Sequence, residues 1–140
     1  MESRLESHDL RLVDVLEDFW FTEIKAKIYI YLRKAGKSTA EDVVKGTSLY
    51  ITSVREALAE MTRSNVVKRT KLPKSGAGKP PYVYEAISPR ELIEAMAGTI
   101  QDKLNQIFML DELLKKPLEM GLPGIPIRVK IEKASRSRKG

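Results

Sequence analysis

The side chains best suited to chemistry lie between Thr52 and Lys79. Read as a helix, "ITSVREALAEMTR" (51–63) places Ile51, Ala57, Leu58 and Met61 within about 60° of Val54. Thr52, Glu56, Ala59 and Arg63 then point the opposite way, with Arg55 and Ser53 on the two flanks. Hydroxyls such as those of Thr52 and Ser53 bond phosphate or base edges, and a guanidinium such as Arg55 or Arg63 can grip guanine O6 and N7 bidentately. The β-rich stretch that follows at once, with its loop, adds Lys68, Arg69, Lys71, Lys74 and Lys79. Cations there supply salt-dependent affinity for a phosphate backbone rather than base reading. The chemistry implied is recognition of double-stranded DNA. Plainer readings stand beside it. Arg55 and Arg63 can pair with Glu56, Glu60 or a neighbouring helix. Tyr50 reads as a core or turn aromatic before it reads as a base contact. The lysines can serve as a charged edge that deters sheet-to-sheet association.

The charge distribution favours the polyanion. The chain has 140 residues and a net charge of +6. Residues 33–84 carry 11 basic and 4 acidic side chains, and residues 125–140 carry 6 and 1. Residues 1–32 and 85–124 each carry 4 basic and 7 acidic side chains. The excess is therefore segregated into a central block and the tail, as expected of a surface that meets a polyanion.

Other chemistries fare poorly. The absence of cysteine excludes disulfides and thiolate metal sites. A single histidine, His8, excludes multi-histidine metal sites and reads as a solvated or capping residue. "SGAGKPP" holds a Gly-Lys pair, but a phosphate-binding loop needs Gly where Pro73 stands and Ser or Thr where Pro80 stands. No paired carboxylates or nucleophile–base arrangement emerge, so the expectation is a non-enzyme without cofactor or metal. No uncharged run exceeds nine residues, against about 20 for a membrane-spanning helix. The N-terminus lacks the apolar core of a signal peptide, so the expected location is the cytoplasm and no membrane partner is expected.

The elements that must position these residues follow from period and punctuation. Leu12, Val13, Leu16, Phe19 and Trp20 predict an amphipathic helix over 10–20. Thr22 as cap, Glu23, the stripe Ile24, Ile28, Tyr31, Leu32, Ala35 and a terminal Gly36 predict a second. Ser38 or Thr39 opens a short third helix that ends near Gly46. After the turn "TSLY" comes the helix over 51–63, then Asn65 as a residue tolerant of positive φ. "VVKRTKL" and "YVYEAI" bracket "PKSGAGKPP" as a hairpin with a long, mobile loop. Ser88 and Pro89 open a helix predicted to run to about Lys116, roughly 40 Å, with the stripe Leu92, Met96, Ile100, Leu104, Ile107, Leu110 and Leu114. Ile125, Ile127, Val129 and Ile131 alternate with polar residues or proline as an edge strand, and a basic, disordered tail follows.

"FTEIKAKIYIYLRKAGKSTAEDVV" resembles the opening of the TrmB-like family of mainly archaeal transcription regulators. Phe21, Thr22, Glu23, Ala26, Lys27, Ile28, Tyr29 and Leu32 match its pattern. "TSVREAL" is similar to its recognition helix, with Val54, Glu56 and Leu58 in register, and "SNVV" stands at its entry to the wing. Ser48 stands where the family often has Gly, Tyr50 where it often has Pro, and Ser53 and Arg55 where Arg and Tyr are common. These departures touch the base contacts and leave the fold alone. The resemblance covers residues 20–90. Larger members add a C-terminal sugar-sensing domain for which this chain is too short, so it implies no sugar effector.

The expected fold is thus mainly α with a small β-hairpin (α+β). It is a winged helix-turn-helix over 21–88, flanked by an N-terminal helix over 1–20, a long dimerisation helix over 89–116 and a tail over 117–140. The expected function is a homodimeric, sequence-specific DNA-binding transcription regulator. The alternatives are a winged-helix protein-interaction module of a transcription or RNA-processing assembly and a non-specific architectural DNA binder.

Overall fold

A computed structural model of the chain describes residues 4–73, 81–115 and 128–132. Two compact units divide between Ser88 and Pro89. The first contains α1 (Ser7–Glu17), α2 (Glu23–Ala35), α3 (Ala40–Thr47), α4 (Ile51–Arg63), β1 (Val67–Lys71) and β2 (Tyr82–Ala86). The second contains α5 (Pro89–Phe108) and α6 (Leu110–Lys115). This is a winged-helix fold with a two-stranded antiparallel wing.

Helix α2 is the axis of the first unit. Thr22 caps it, its Oγ1 accepting the Lys25 N–H at 3.2 Å, and Gly36 ends it at φ 83°. Five successive residues, Ile28 to Leu32, are buried. A helix with a single covered face cannot show that pattern. α1 packs on one side of it, and α3, α4 and β2 pack on the others. Ile28, Leu32, Val43, Val54, Leu58, Met61 and Val67 are the fully buried centre of this core.

Two details fix the neighbours of α2. Asp9, buried on α1, accepts the Glu6 N–H and the Lys34 Nζ–H through Oδ2, both at 2.7 Å. Burial raises the pKa of its carboxyl, but the Lys34 bond, the Glu6 amide and the nearby charges of Lys34 and His8 together bring it below the ordinary value of 3.8. On the other side, α3 approaches so closely that a Cβ on Gly46 would lie 2.7 Å from Tyr31 Cζ and nearer still to Cε1. Only glycine fits there. Gly46 is thus a helical packing residue, and α3 ends a residue later, with Ser48 in the left-handed region at φ 62°.

The wing is tied to α2 by side chains. Tyr29 donates its hydroxyl hydrogen to the Ile87 carbonyl at 2.9 Å, and Arg33 Nη1 donates to that of Ala86 at 3.3 Å. Ser38 forms a one-residue third strand. Its N–H donates to the Tyr84 carbonyl at 3.1 Å, and the Tyr84 N–H donates to the Ser38 carbonyl at 2.8 Å.

Several elements differ from the sequence-based expectation. α1 starts and ends three residues early, because the Glu6–Asp9 bond opens it and the chain turns over 18–20. Trp20 lies in that turn at φ 74°, and Leu12 is exposed rather than part of a covered face. Ile51, expected on the core side of α4, is 38% exposed because it sits at the first turn, ahead of the covered stretch. The helix from Pro89 is interrupted at Met109, although the 3.0 Å bonds Met109 N–H to Asn105 O and Leu113 N–H to Met109 O carry helical bonding across the break. Arg128–Glu132 show no strand; the Val129 N–H donates to Gln101 Oε1 at 3.0 Å. Asn65 takes φ 66°, as expected. The expectations for the loop at 74–80, for Ile125 and Ile127, and for the tail beyond Glu132 lie outside the described residues.

Two measurements check this packing. Asp9→Asn is expected to lower stability at pH 7 by about 1–2 kcal/mol, since it weakens a buried charge-assisted bond. Because the folded-state pKa is depressed, the Asp9 contribution is present above 3.8 and is lost as pH falls through the lower folded value. Urea unfolding at pH 7 and at pH 3 should therefore show the gap between variant and wild type narrowing at the lower pH. Gly46→Ala should gain about 1 kcal/mol of helix propensity and lose roughly 1–3 kcal/mol to the clash with Tyr31. A net fall in the denaturation midpoint is expected; a rise would show that α3 can retreat from α2.

Candidate nucleic-acid interface

The short helix α3 and the longer α4 form the helix-turn-helix. Thr39 starts α3 through a reciprocal cap: its Oγ1 accepts the Asp42 N–H at 3.1 Å, and Asp42 Oδ2 accepts the Thr39 N–H at 3.0 Å. Past Ser48, the Thr47 hydroxyl accepts the Leu49 N–H at 3.3 Å and donates to the Val43 carbonyl at 2.7 Å. The turn is thus bonded within itself and delivers the chain to α4. Val54, Ala57, Leu58 and Met61 bury the inner face of α4. Thr52, Arg55, Glu56 and Arg63 are exposed on the outer face and its flanks, and Ser53 is half-buried. Tyr50, immediately before α4, is 84% exposed, so it is a turn aromatic and has no place in the core.

Both flanks of α4 are occupied. On the α3 side, Arg55 Nη2 donates to Glu41 Oε2 at 2.8 Å, with both side chains well exposed. Such a pair contributes about 1 kcal/mol at most and exchanges readily. On the α2 side, Lys25 Nζ lies 2.6 Å from Glu60 Oε1. The bond and charge of Lys25 hold the Glu60 carboxyl below the ordinary range, and Arg63 adds to the effect. Ser53, Glu56 and Glu60 line a shallow pocket with Thr22, Ile24 and Lys25. Ser53 and Glu56 therefore lean toward the start of α2, while Thr52, Arg55 and Arg63 stand clear of that pocket.

The wing divides its cations between two faces. The register pairs Val67 with Ala86, Lys68 with Glu85, Arg69 with Tyr84, Thr70 with Val83 and Lys71 with Tyr82. Residues two apart share a face. Arg69 and Lys71 therefore continue the face that begins with buried Val67, alongside Tyr82 and Tyr84. Lys68 lies on the opposite face, directly across from Glu85. The Arg69 guanidinium stands 4.3 Å from the centre of the Tyr82 ring, a cation–π contact that holds a flexible cation in place. Lys74 and Lys79 lie outside the described residues.

The arrangement offers a protruding helix with two arginines and a threonine, beside a basic ribbon with an aromatic anchor. Glu41, Lys25 and Tyr82 escaped the sequence reading. Glu41 and Lys25 act through pairs 14 and 35 residues apart in the chain, which no local period encodes. Tyr82 becomes visible only once the hairpin register is known.

The profile of the family described as "Sugar-specific transcriptional regulator TrmB" matches residues 16–90. Among solved structures, the chain is similar to TrmBL2, described as an archaeal chromatin protein with a novel mode of DNA binding. The identity is 15% and the TM-score 0.61, over 77% of this chain and 39% of that one. This chain thus spans well under half of that relative's length. A second structure, a possible transcriptional regulator from Methanosarcina mazei Go1, aligns at 14% identity and TM-score 0.61 over 75% of this chain and 88% of its own. Comparison with curated protein sequences finds no match. These likenesses agree in fold with the winged helix described above, and the profile spans all of it from the end of α1 to the start of α5: the chain belongs to the TrmB family of transcriptional regulators.

Proposed function

We propose that this chain is a homodimeric, sequence-specific DNA-binding transcription regulator. The observation that carries the reading is the exposed outer side of α4, with Thr52, Arg55 and Arg63, next to a wing whose residues Lys68–Lys71 are all exposed. Helix-turn-helix proteins lay their second helix in the major groove. In this reading Arg55 and Arg63 approach base edges, and Thr52 bonds a phosphate or base. Ser53 and Glu56 sit at the margin of the contact, near α2. Arg69 and Lys71 hold the neighbouring backbone or minor groove, and Lys68, Lys74 and Lys79 add charge from the rest of the wing.

The dimer rests on the second unit. Along α5 and α6, Leu92 is buried and Met96 and Ile100 are half-buried, whereas Ile93, Leu104, Ile107, Leu110 and Leu114 are exposed. Ile93, Ile100, Ile107 and Leu114 recur every seven residues, the spacing of one seam position between packed helices. A second copy of the chain is the natural cover for such a stripe. Two recognition helices would then address half-sites about one helical turn apart.

The rival with an observation behind it is non-specific packaging of DNA, which the chromatin-protein description of one structural neighbour brings to mind. Selection of binding sites from a random duplex pool, repeated over a salt series, separates the two. A regulator enriches a defined site; a packaging protein shows a steep salt slope and no preferred sequence. Arg55→Ala together with Arg63→Ala should lower affinity for the enriched site by about 10- to 100-fold and leave the helical content unchanged. Unaltered site preference in that variant would remove α4 from base reading. Ile107→Asp should convert the dimer to a monomer in sedimentation at micromolar concentration; a wild-type chain that already sediments as a monomer would sink the dimer.

A further inference from the structure

Arg55 is the α4 cation closest to the turn, and in the free protein it is already engaged. Its Nη2 donates to Glu41 Oε2 at 2.8 Å. Glu41 sits in the first turn of α3, the helix that crosses the backbone when α4 lies in the groove. A carboxylate so placed faces phosphates and repels them unless a cation covers it. A guanidinium has five donors in a planar fork, and this contact uses a single oxygen of Glu41, so most of the fork remains available.

We propose that Glu41 sets the specificity of the proposed DNA contact by competing with phosphate for Arg55. The inference rests on the duplex-binding reading above and deepens it. On an arbitrary duplex, Arg55 gains one phosphate bond by leaving Glu41 and uncovers a carboxylate beside the backbone. The exchange returns little, because an exposed ion pair and an exposed phosphate contact are similar in strength. Where the groove presents guanine O6 and N7, Arg55 makes two aligned bonds, either while Oε2 of Glu41 keeps its contact or after release. Glu41 thereby penalises the wrong duplex more than the right one. It is a positioning residue, and it touches the DNA only through Arg55.

The test is a double-mutant cycle with Glu41→Gln and Arg55→Ala. Its two probes are a random 20-base-pair duplex pool and duplexes enriched from that pool by the wild-type chain. Glutamine preserves the shape of the α3 start, and circular dichroism and thermal unfolding check the fold of each variant. Glu41→Gln is expected to tighten binding to the random pool by about two- to fivefold and to steepen its salt slope by about 0.9, the mark of one added phosphate contact. Affinity for the enriched duplex should change less, so the ratio of enriched to random binding falls. In the Arg55→Ala background the steeper salt slope and the fall in that ratio should both disappear, leaving only a uniform gain on both duplexes from the lost carboxylate charge. An equal change of slope and ratio in both backgrounds would overturn the proposal in favour of simple charge repulsion, and so would no change of either in the wild-type background. If the wild-type chain fails to bind any duplex, the DNA reading falls first and this inference with it.

Discussion

Burial of α2 on all sides is the constraint on which the rest of the first unit depends. Ile28 to Leu32 present every direction of the helix to protein. Each neighbouring element therefore has to bring its own apolar stripe and its own polar tie. α1 supplies Val13 and the Asp9–Lys34 bond, and α3 supplies Val43 and the close approach at Gly46. α4 supplies Val54 and Leu58 with the Lys25–Glu60 bridge, and the wing supplies Val67 with the bonds from Tyr29 and Arg33. The neutral-acceptor bonds from Tyr29 and Arg33 add about 0.5–1.5 kcal/mol each, and all of these ties fix angle and register where apolar contact alone would allow sliding.

Much of this was legible because local signals agreed with the tertiary result. Thr22, Thr39, Gly36 and Asn65 are punctuation residues acting at short range, and the structure uses them as their chemistry predicts. The inner face of α4 followed from period alone at Val54, Ala57, Leu58 and Met61. Ile51 failed because a helical wheel has no ends: it assigns a direction, while burial also requires a neighbour at that height. The stripe assigned to α2 was too narrow for the same kind of reason. Tyr29 and Ile30 lie off the predicted face yet are buried, and Tyr29 is turned toward Phe21 and the end of the wing, where its hydroxyl donates to the Ile87 carbonyl.

The candidate site was legible in its residue types and less so in its pairings. The outer residues of α4 are exposed as expected, yet two of its charged side chains are committed across helix boundaries, Arg55 to α3 and Glu60 to α2. These bridges change the electrostatic sense of the helix. With Lys25 against Glu60, one of the two carboxylates on the flank that faces α2 is paired by a residue outside the helix-turn-helix. The wing shows the same limit. Composition gives its positive charge, but only the register separates Arg69 and Lys71 from Lys68 and seats the Arg69 guanidinium on Tyr82.

The one-residue bridge at Ser38 has a geometric consequence. Ser38 bonds β2 at Tyr84 and precedes Thr39, the cap that starts α3. The hairpin is therefore pinned at both margins, through Ser38 on the α3 side and through the direct run of chain from α4 into β1, so it cannot swing as a free flap: moving β2 away from the start of α3 breaks two backbone hydrogen bonds at once.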